Sequence, residues 1–348
     1  MNNFFFLRLI SVTFLICNFI SYNFILSKNY SKSSPKNYPK NYTDSYTDSY
    51  TDSCSRRKVE NVTFYALKDS ESNERVARDG ILVLRPNAKA TVLVLHGYTR
   101  DKCDASPLRL LLKNFNIFSF DFRAHGEHSA GQLSTMGYDE VYDVFAAVDY
   151  LRSRPELKNK PIFVMAFSMG SATAIEAQSL DQNLFAGMFL DTPFHSSAQV
   201  IKNGISRMRF NLFGYEFGIP GKKILEYYAF NSYIQPILRQ LVKLLVAFDG
   251  TKIETFMKPI SPFESISKIN IPCYFVVCVN DKVVPYQDVK QIYENHPGAA
   301  RLFISEGRGH CDALFNDPEY YDDILNSFFD DIVSGTLDPN KRIIRSCA

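Results

Sequence analysis

Residues 162–179, IFVMAFSMGSATAIEAQS, have the pattern of a strand that passes through a tight turn into a helix. Their first part, Ile162–Met165, is an apolar run without alternation, which is typical of a strand buried on both faces. Ser168 follows between two small residues, Ala166 and Gly170, in the pattern G-x-S-x-G with Ala in the first place. Small residues permit the strained turn that raises the serine hydroxyl at the carboxyl end of a sheet, so we predict that Ser168 is a nucleophile.

Short apolar runs recur along the chain before and after this stretch. They are Val62–Ala66, Ile81–Leu84, Val92–Leu95, Ile117–Phe120, Phe185–Leu190, Tyr274–Val279 and Leu302–Ile304. Helical patterns lie between most of them, such as the apolar face from Val141 to Leu151 and the one from Tyr321 to Ile332. Strands and helices alternate, which predicts an α/β protein with a mostly parallel, doubly wound sheet.

A serine needs a base to become a strong nucleophile. His310 follows the last apolar run through a loop that contains Gly307 and Gly309, which is where such a base is expected. The other histidines, which lie in earlier loops, at the start of an insertion or at a polar helix end, are His96, His125, His128, His195 and His296. We therefore predict that His310 is the base.

The base in turn needs an acid that holds its imidazole in the right tautomer. Asp281 follows the run Tyr274–Val279, and the chain order Ser168, Asp281, His310 is typical of this kind of sheet. The alternative is Asp191, at the end of Phe185–Leu190. We favour Asp281, because Asp191 is followed by Thr192 and Pro193 and has the pattern of a structural start to an insertion.

Two main-chain N–H groups should stabilise the negative charge that develops on the substrate oxygen. Met169, directly after the nucleophile, supplies one. The loop after Val92–Leu95 supplies the other, and the residue after His96 and Gly97 is Tyr98. We predict an oxyanion hole formed by the backbone of Tyr98 and Met169.

Five segments together resemble the α/β-hydrolase superfamily, in particular the branch with monoacylglycerol lipases, carboxylesterases and serine aminopeptidase-like hydrolases. They are LHGYTRDK (95–102), FDFRAHGEHSAG (120–131), AFSMGSA (166–172), VNDKVVP (279–285) and GRGHCDALF (307–315). The resemblance covers roughly residues 60–335 and implies an α/β-hydrolase fold with a Ser-His-Asp triad. It also implies that Arg123 and His125 brace a loop and are not catalytic.

The sequence departs from the family pattern at two places. Ala166 replaces the first glycine of the serine turn, and His128 stands where the family has serine, with Ser129 one place later. Neither departure removes a member of the triad.

The interval from Leu190 to Tyr274 is too long for a simple connection and predicts a helical cap insertion at about 193–265. It is rich in aromatic residues, among them Phe194, Phe213 and Phe217. These either form the cap's own core and its seat on the main domain or line an apolar acyl pocket, and both interpretations can hold.

The chain before the predicted hydrolase domain, 59–340, has two parts. Residues 4–26 are strongly apolar, so 1–26 is expected to be a signal peptide or membrane anchor. Residues 27–58 contain YTDS three times in tandem and are expected to be a linker. The protein is therefore expected to be membrane-associated or exported; the lysines after the apolar run slightly favour a cytoplasmic location for the C-terminal part.

Composition limits the remaining possibilities. Hydrophobic residues make up 46% and charged residues 22% of the chain, which is ordinary for a globular protein. The net charge of +2 gives no reason to expect nucleic acid as a partner, and the seven cysteines fit no zinc-binding spacing. No cofactor or metal is expected.

We expect a serine hydrolase that cleaves small-molecule acyl esters or thioesters with an apolar acyl chain. The alternatives are a peptidase or amidase on the same triad, or a catalytically inactive, membrane-tethered binding protein.

Overall fold

The computed structural model describes residues 57–127, 129, 131–207, 209–212, 215–218, 223, 230, 253–307 and 309–346. The predicted leader, 1–26, and almost all of the predicted linker lie outside these residues. Within the described ranges, no helix has the length and apolar character needed to cross a membrane.

Eight of the eleven described strands overlap an apolar run of the sequence. The strands are β1 Lys58–Leu67, β2 Arg75–Leu84, β3 Thr91–Leu95, β4 Asn116–Phe120, β5 Ile162–Phe167, β6 Gly187–Asp191, β7 Arg209–Leu212, β8 Tyr215–Gly218, β9 Cys273–Cys278, β10 Ala300–Ser305 and β11 Arg342–Ser346. Nine of them form one sheet in the order β1-β2-β4-β3-β5-β6-β9-β10-β11. The β1–β2 and β2–β4 pairs are antiparallel and the other pairs in this sheet are parallel, which confirms the mostly parallel sheet.

Helices connect most of the parallel strands. They are α1 Leu108–Leu111, α2 Glu140–Ser153, α3 Met169–Leu180, α4 Ser197–Arg207, α5 Pro262–Ser265, α6 Tyr286–Asn295, α7 Ala313–Asn316 and α8 Pro318–Ser334. The last one shows how local sequence sets the bounds. The side chain of Asp317 accepts the N–H of Tyr320, Pro318 occupies the first turn, and Gly335, with φ 70°, ends the helix.

The core lies on both faces of the sheet. On one face the helices α2, α3 and α6 bury Val144, Ile175 and Ile292. On the other face α1 and α8 bury Leu108 and Phe328. Because helices cover both faces, the central strands are buried throughout, and this is why their sequences are apolar without alternation.

The described part of the insertion contains the helix α4 and an antiparallel hairpin, β7–β8, which the sequence pattern did not indicate. Its returning chain is attached to the loop before α2. Ser134 donates its N–H to the carbonyl of Glu254 (2.8 Å) and accepts the N–H of Phe256 on its own carbonyl (2.8 Å). Lys258 forms an ion pair with Asp139 (2.7 Å) at the same place. The insertion is therefore fixed to the main domain at the end of its path.

Candidate active site

Ser168 lies in the turn between β5 and α3. Its backbone has φ 50° and ψ −111°, a region that non-glycine residues rarely adopt and that costs about 1–3 kcal/mol. A hydrogen bond to the neighbouring strand β6 fixes the turn, because Ser168 donates its N–H to the carbonyl of Asp191 (2.8 Å). Gly170 is required two residues later: a Cβ at this position would lie 2.5 Å from the carbonyl oxygen of Leu95. The strain and the close helix–strand approach thus hold the serine at the carboxyl edge of the sheet.

The structure brings Ser168, His310 and Asp281 together, although they are far apart in the chain. The Nε2 atom of His310 lies 2.7 Å from the Oγ atom of Ser168. Its Nδ1 atom lies 2.7 Å from the Oδ2 atom of Asp281. A carboxylate only accepts hydrogen bonds, so Nδ1 carries the proton and Nε2 is free to accept the serine O–H.

The carboxylate of Asp281 is fixed on both oxygens. Its side chain is fully buried, and Oδ1 accepts the N–H groups of Val283 (2.7 Å) and Val284 (2.9 Å). Oδ2 is left for His310. The loop after β9 therefore orients this acid before any substrate binds.

Asp191, the alternative acid, lies near the triad but has other partners. Its Oδ1 atom accepts the hydroxyl of Thr192 (2.8 Å) and its Oδ2 atom accepts the hydroxyl of Tyr321 (2.9 Å). Burial raises the pKa of this carboxyl to about 6. His310 is hydrogen-bonded to Asp281 instead.

Of the predicted oxyanion hole, Met169 follows Ser168 directly, and Tyr98 follows a glycine that lies close to Ser168. Met169 is the first residue of α3, where main-chain N–H groups have no acceptor within the helix. A Cβ on Gly97, which precedes Tyr98, would lie 3.6 Å from the Cβ of Ser168. The phenol of Tyr98 bonds to the hydroxyl of Thr255 (2.7 Å), so this side chain contacts the insertion.

Two further histidines organise the loop that carries Tyr98. His96 donates from Nδ1 to the carbonyl of Gly97 (2.8 Å) and accepts the N–H of Phe122 (3.0 Å). His125 accepts the N–H of Thr99 (3.3 Å), a residue with φ 69°. Burial lowers the pKa of His96 to about 3 and also lowers the pKa of His125. Both rings are thus neutral, and their hydrogen bonds hold the loop in place. In the sequence, only the position of His96 directly after β3 indicates this role.

Arg123 braces the same region from the other side. It forms an ion pair with Asp143 (2.8 Å), which also binds Arg78 (2.8 Å), and all three side chains are buried. Arg123 further donates to the carbonyl of Leu67 (3.0 Å). This network connects the loop after β4 to the end of β1.

The remaining histidines lie apart from this cluster. The ring of His195 stacks on Phe263, with ring centres 4.5 Å apart. His296 donates from Nε2 to the carbonyl of Ile271 (3.0 Å) and accepts the N–H of Gly298 (3.1 Å). His128 lies outside the described residues. In the part of the chain that the structure describes, no group of three or more His, Cys, Asp or Glu side chains could hold a metal ion.

The chain is similar to known proteins over most of its length. A model of the alpha/beta hydrolase family matches residues 92–324. The Bacillus subtilis (strain 168) protein YqkD is 22% identical over 249 residues, which cover 71% of this chain and 73% of that protein. The Escherichia coli (strain K12) protein YfhR is 24% identical over 256 residues, with 73% of each chain covered.

Solved structures show the same fold at low sequence identity. The Pyrococcus furiosus esterase Pf2001 superposes with a TM-score of 0.57 at 21% identity, over 78% of this chain and 92% of the esterase. The 2,6-dihydroxy-pseudo-oxynicotine hydrolase superposes with a TM-score of 0.55 at 16% identity, over 82% of this chain and 71% of that one. With the family model matching more than half of its residues, the chain belongs to the alpha/beta hydrolase family.

Proposed function

We propose that this protein is a serine hydrolase that cleaves carboxylic esters or thioesters through an acyl-enzyme. The observation that carries the proposal is the continuous hydrogen-bond chain from Asp281 through His310 to Ser168, with both distances at 2.7 Å. Membership of the alpha/beta hydrolase family and the fold shared with an esterase support hydrolase chemistry.

The geometry supports a two-step reaction. In the first step the Ser168 oxygen attacks the acyl carbon while His310 takes the serine proton on Nε2. The imidazolium that forms is stabilised by Asp281, and the substrate oxygen accepts N–H groups from Tyr98 and Met169. When the intermediate collapses, His310 returns the proton to the leaving alcohol or thiol, and the acyl group remains on Ser168.

Water completes the cycle. It attacks the acyl-enzyme, gives a proton to His310 and forms a second tetrahedral intermediate in the same oxyanion hole. Collapse of this intermediate releases the carboxylic acid, and the proton on His310 returns to Ser168. Atoms and charge balance with one ester and one water consumed.

An apolar acyl chain remains the proposed substrate feature, and it rests on the aromatic content of the insertion. Of the aromatics that suggested it, Phe194 is buried in the core of the main domain and therefore serves packing. Phe213 lies outside the described residues, and of Phe217 the structure describes the backbone only. Membrane association or export through residues 4–26 likewise remains a proposal from the apolar sequence alone.

Hydrolysis of p-nitrophenyl esters and of matched p-nitroanilides tests the proposal. We expect ester turnover, and Ser168→Ala should reduce kcat by on the order of 10³ or more because it removes the group that forms the acyl-enzyme. Faster turnover of the anilides would favour the peptidase or amidase alternative. Near-normal ester turnover by Ser168→Ala would overturn the assignment of the nucleophile.

A series of acyl esters from two to twelve carbons tests the apolar pocket. Each buried CH₂ contributes about 0.8 kcal/mol, so kcat/KM should rise by roughly one to two orders of magnitude over the first few added carbons. A flat profile would show that the aromatics of the insertion serve its own packing.

A further inference from the structure

Asp191 lies directly beneath the serine turn, and the proposed mechanism does not use it. It ends β6, and in the register of the sheet it is paired with Phe167, the residue before Ser168. Its carbonyl oxygen accepts both the N–H of Ser168 (2.8 Å) and the hydroxyl of Ser171 (2.9 Å). The main chain of Asp191 therefore holds the nucleophile turn.

The environment of the Asp191 carboxylate is energetically unfavourable for its charged form. It is fully buried, and its two hydrogen-bond donors, Thr192 and Tyr321, are uncharged hydroxyls. A buried carboxylate without a cation is unfavourable, because two neutral hydroxyl donors replace only part of the hydration that it loses on burial. The charge itself therefore requires an explanation.

The groups that face this carboxylate come from four parts of the chain. They are Thr192 after β6, Tyr321 on α8, Cys278 and Asp281 at and after β9, and His310 and Cys311 after β10. Among these groups His310 alone can become a cation. The carbonyl of Asp191 accepts the N–H of Ser168 (2.8 Å), and the Oγ atom of Ser168 lies 2.7 Å from Nε2 of His310. The negative charge of Asp191 is therefore close enough to favour a positive charge on His310, in the same direction as the charge of Asp281.

Thr192 shows that this arrangement is held under strain. Its φ is 52°, which is unusual for a β-branched residue. Its N–H is donated to the carbonyl of Val276 (2.8 Å), while its hydroxyl points to Asp191. The chain thus turns sharply after β6 in a way that keeps a donor on the carboxylate.

We propose that Asp191 and Tyr321 form a positioning pair beside the triad, in which the Asp191 carboxylate, fixed by the Tyr321 hydroxyl, stabilises the imidazolium form of His310 during acyl transfer. This inference rests on the proposed function. Asp191 does not touch the substrate; it acts through His310 and through the turn that carries Ser168.

The proposal has a pH signature. Burial raises the pKa of Asp191 to about 6, so its charge is present at neutral pH and is lost in weak acid. Asp191→Asn removes the charge and keeps the shape. Since the imidazolium is then less stable, the acid limb of kcat/KM should move to lower pH by about half a unit, and the plateau above pH 8 should fall about 3-fold, the factor to which half a pKa unit corresponds.

Tyr321→Phe provides a second variant that keeps the ring packing of α8. It removes one hydrogen bond from the charged form of Asp191, so the acid limb should shift in the same direction and the loss should be concentrated between about pH 6 and pH 7. Tyr320→Phe is the matched control, because Tyr320 is adjacent on α8 and packs on Phe303 instead. The control should keep the wild-type profile.

The decisive experiment is the pH profile of kcat/KM for one p-nitrophenyl ester in wild type, Asp191→Asn, Tyr321→Phe and Tyr320→Phe, with circular dichroism to confirm folding. Shifted acid limbs in the first two variants only would support the pair. An unshifted limb in folded Tyr321→Phe and Asp191→Asn, or an equal shift in Tyr320→Phe, would overturn it. Failure of the proposed function is distinguishable, since the wild-type protein would then show no ester turnover, or a turnover that Ser168→Ala does not reduce.

Discussion

At the scale of single residues, the site is defined by which carboxylate reaches His310. Asp281 is bound to the imidazole and receives two main-chain N–H groups, whereas Asp191 is bound to hydroxyls. Two carboxylates close to one histidine thus have different environments. This difference gives them different roles in the proposed reaction.

The two aspartates should respond differently to the same substitution. Asp281→Asn should reduce kcat by on the order of 10³–10⁴, because His310 would be left in the wrong tautomer. Asp191→Asn should cost about 3-fold, because it removes a charge near the imidazole but leaves the hydrogen bond between His310 and Asp281. Steady-state kinetics at pH 8 measures both, and the reverse ranking would place the acid on β6.

The three residues of the proposed triad could be singled out in the sequence, since each follows a recognisable apolar run. The hydrogen-bond partners could not. Tyr321 binds Asp191 across 130 positions of the chain, and no local pattern indicates such a contact. The sequence also did not indicate how His96 holds the loop, because its hydrogen-bond partner Phe122 lies after a different strand.

At the scale of elements, the crossing of α3 over β3 determines where the serine turn lies. Gly170 is the contact point, with the carbonyl oxygens of Leu95 and His96 at 2.5 Å and 2.7 Å from an added Cβ. Backbone atoms cannot move aside as a flexible side chain can. A larger residue would have to lift the helix, and with it Ser168.

Gly170→Ala should therefore destabilise the fold and lower activity together. We expect a loss of roughly 1–3 kcal/mol in the free energy of unfolding, as for overpacking in a core. Gly204→Ala is the matched control, because a Cβ there meets nothing within 4 Å and alanine is the better helix former by about 1 kcal/mol. Urea unfolding of both variants checks this, and equal stabilities would contradict the close contact.

Strands buried on both faces were predicted well, whereas one exposed edge strand and the hairpin of the insertion were not. The strand β3 is fully buried and matches its apolar run to within one residue. The edge strand β11 is mostly exposed, so its sequence RIIRS carries no comparable signal. The hairpin β7–β8 lies in the insertion and was missed in the same way.

At the scale of the whole molecule, several ionisable groups are held in their uncharged forms by burial. Burial lowers the pKa of His96 to about 3 and that of His296 to about 4, from an ordinary value near 6.5. Below pH 6.5 the unfolded chain therefore binds protons that the folded protein does not, and stability falls as the pH falls from about 6.5 to 4. Asp191, whose pKa is raised to about 6, acts in the opposite direction below that pH.

His296→Asn should weaken this acid sensitivity. The asparagine side chain can still accept the N–H of Gly298, and it does not bind a proton in the unfolded state. The loss of unfolding free energy between pH 7 and pH 4.5 should be smaller than in wild type by about 2 kcal/mol. Urea unfolding at both pH values measures it, with pH 8 giving the cost of the substitution itself; an identical pH dependence in both proteins would contradict a neutral His296.

The most direct measurement is the site of covalent labelling by a fluorophosphonate, which reacts with a serine only when a base activates it. Intact mass and peptide mapping of the full-length protein should show one adduct, on Ser168, in wild type. Ser168→Ala should show none, and His310→Ala should react far more slowly. No adduct in folded wild-type protein, or an adduct on a different residue, would contradict the assignment of Ser168, His310 and Asp281 as a catalytic triad.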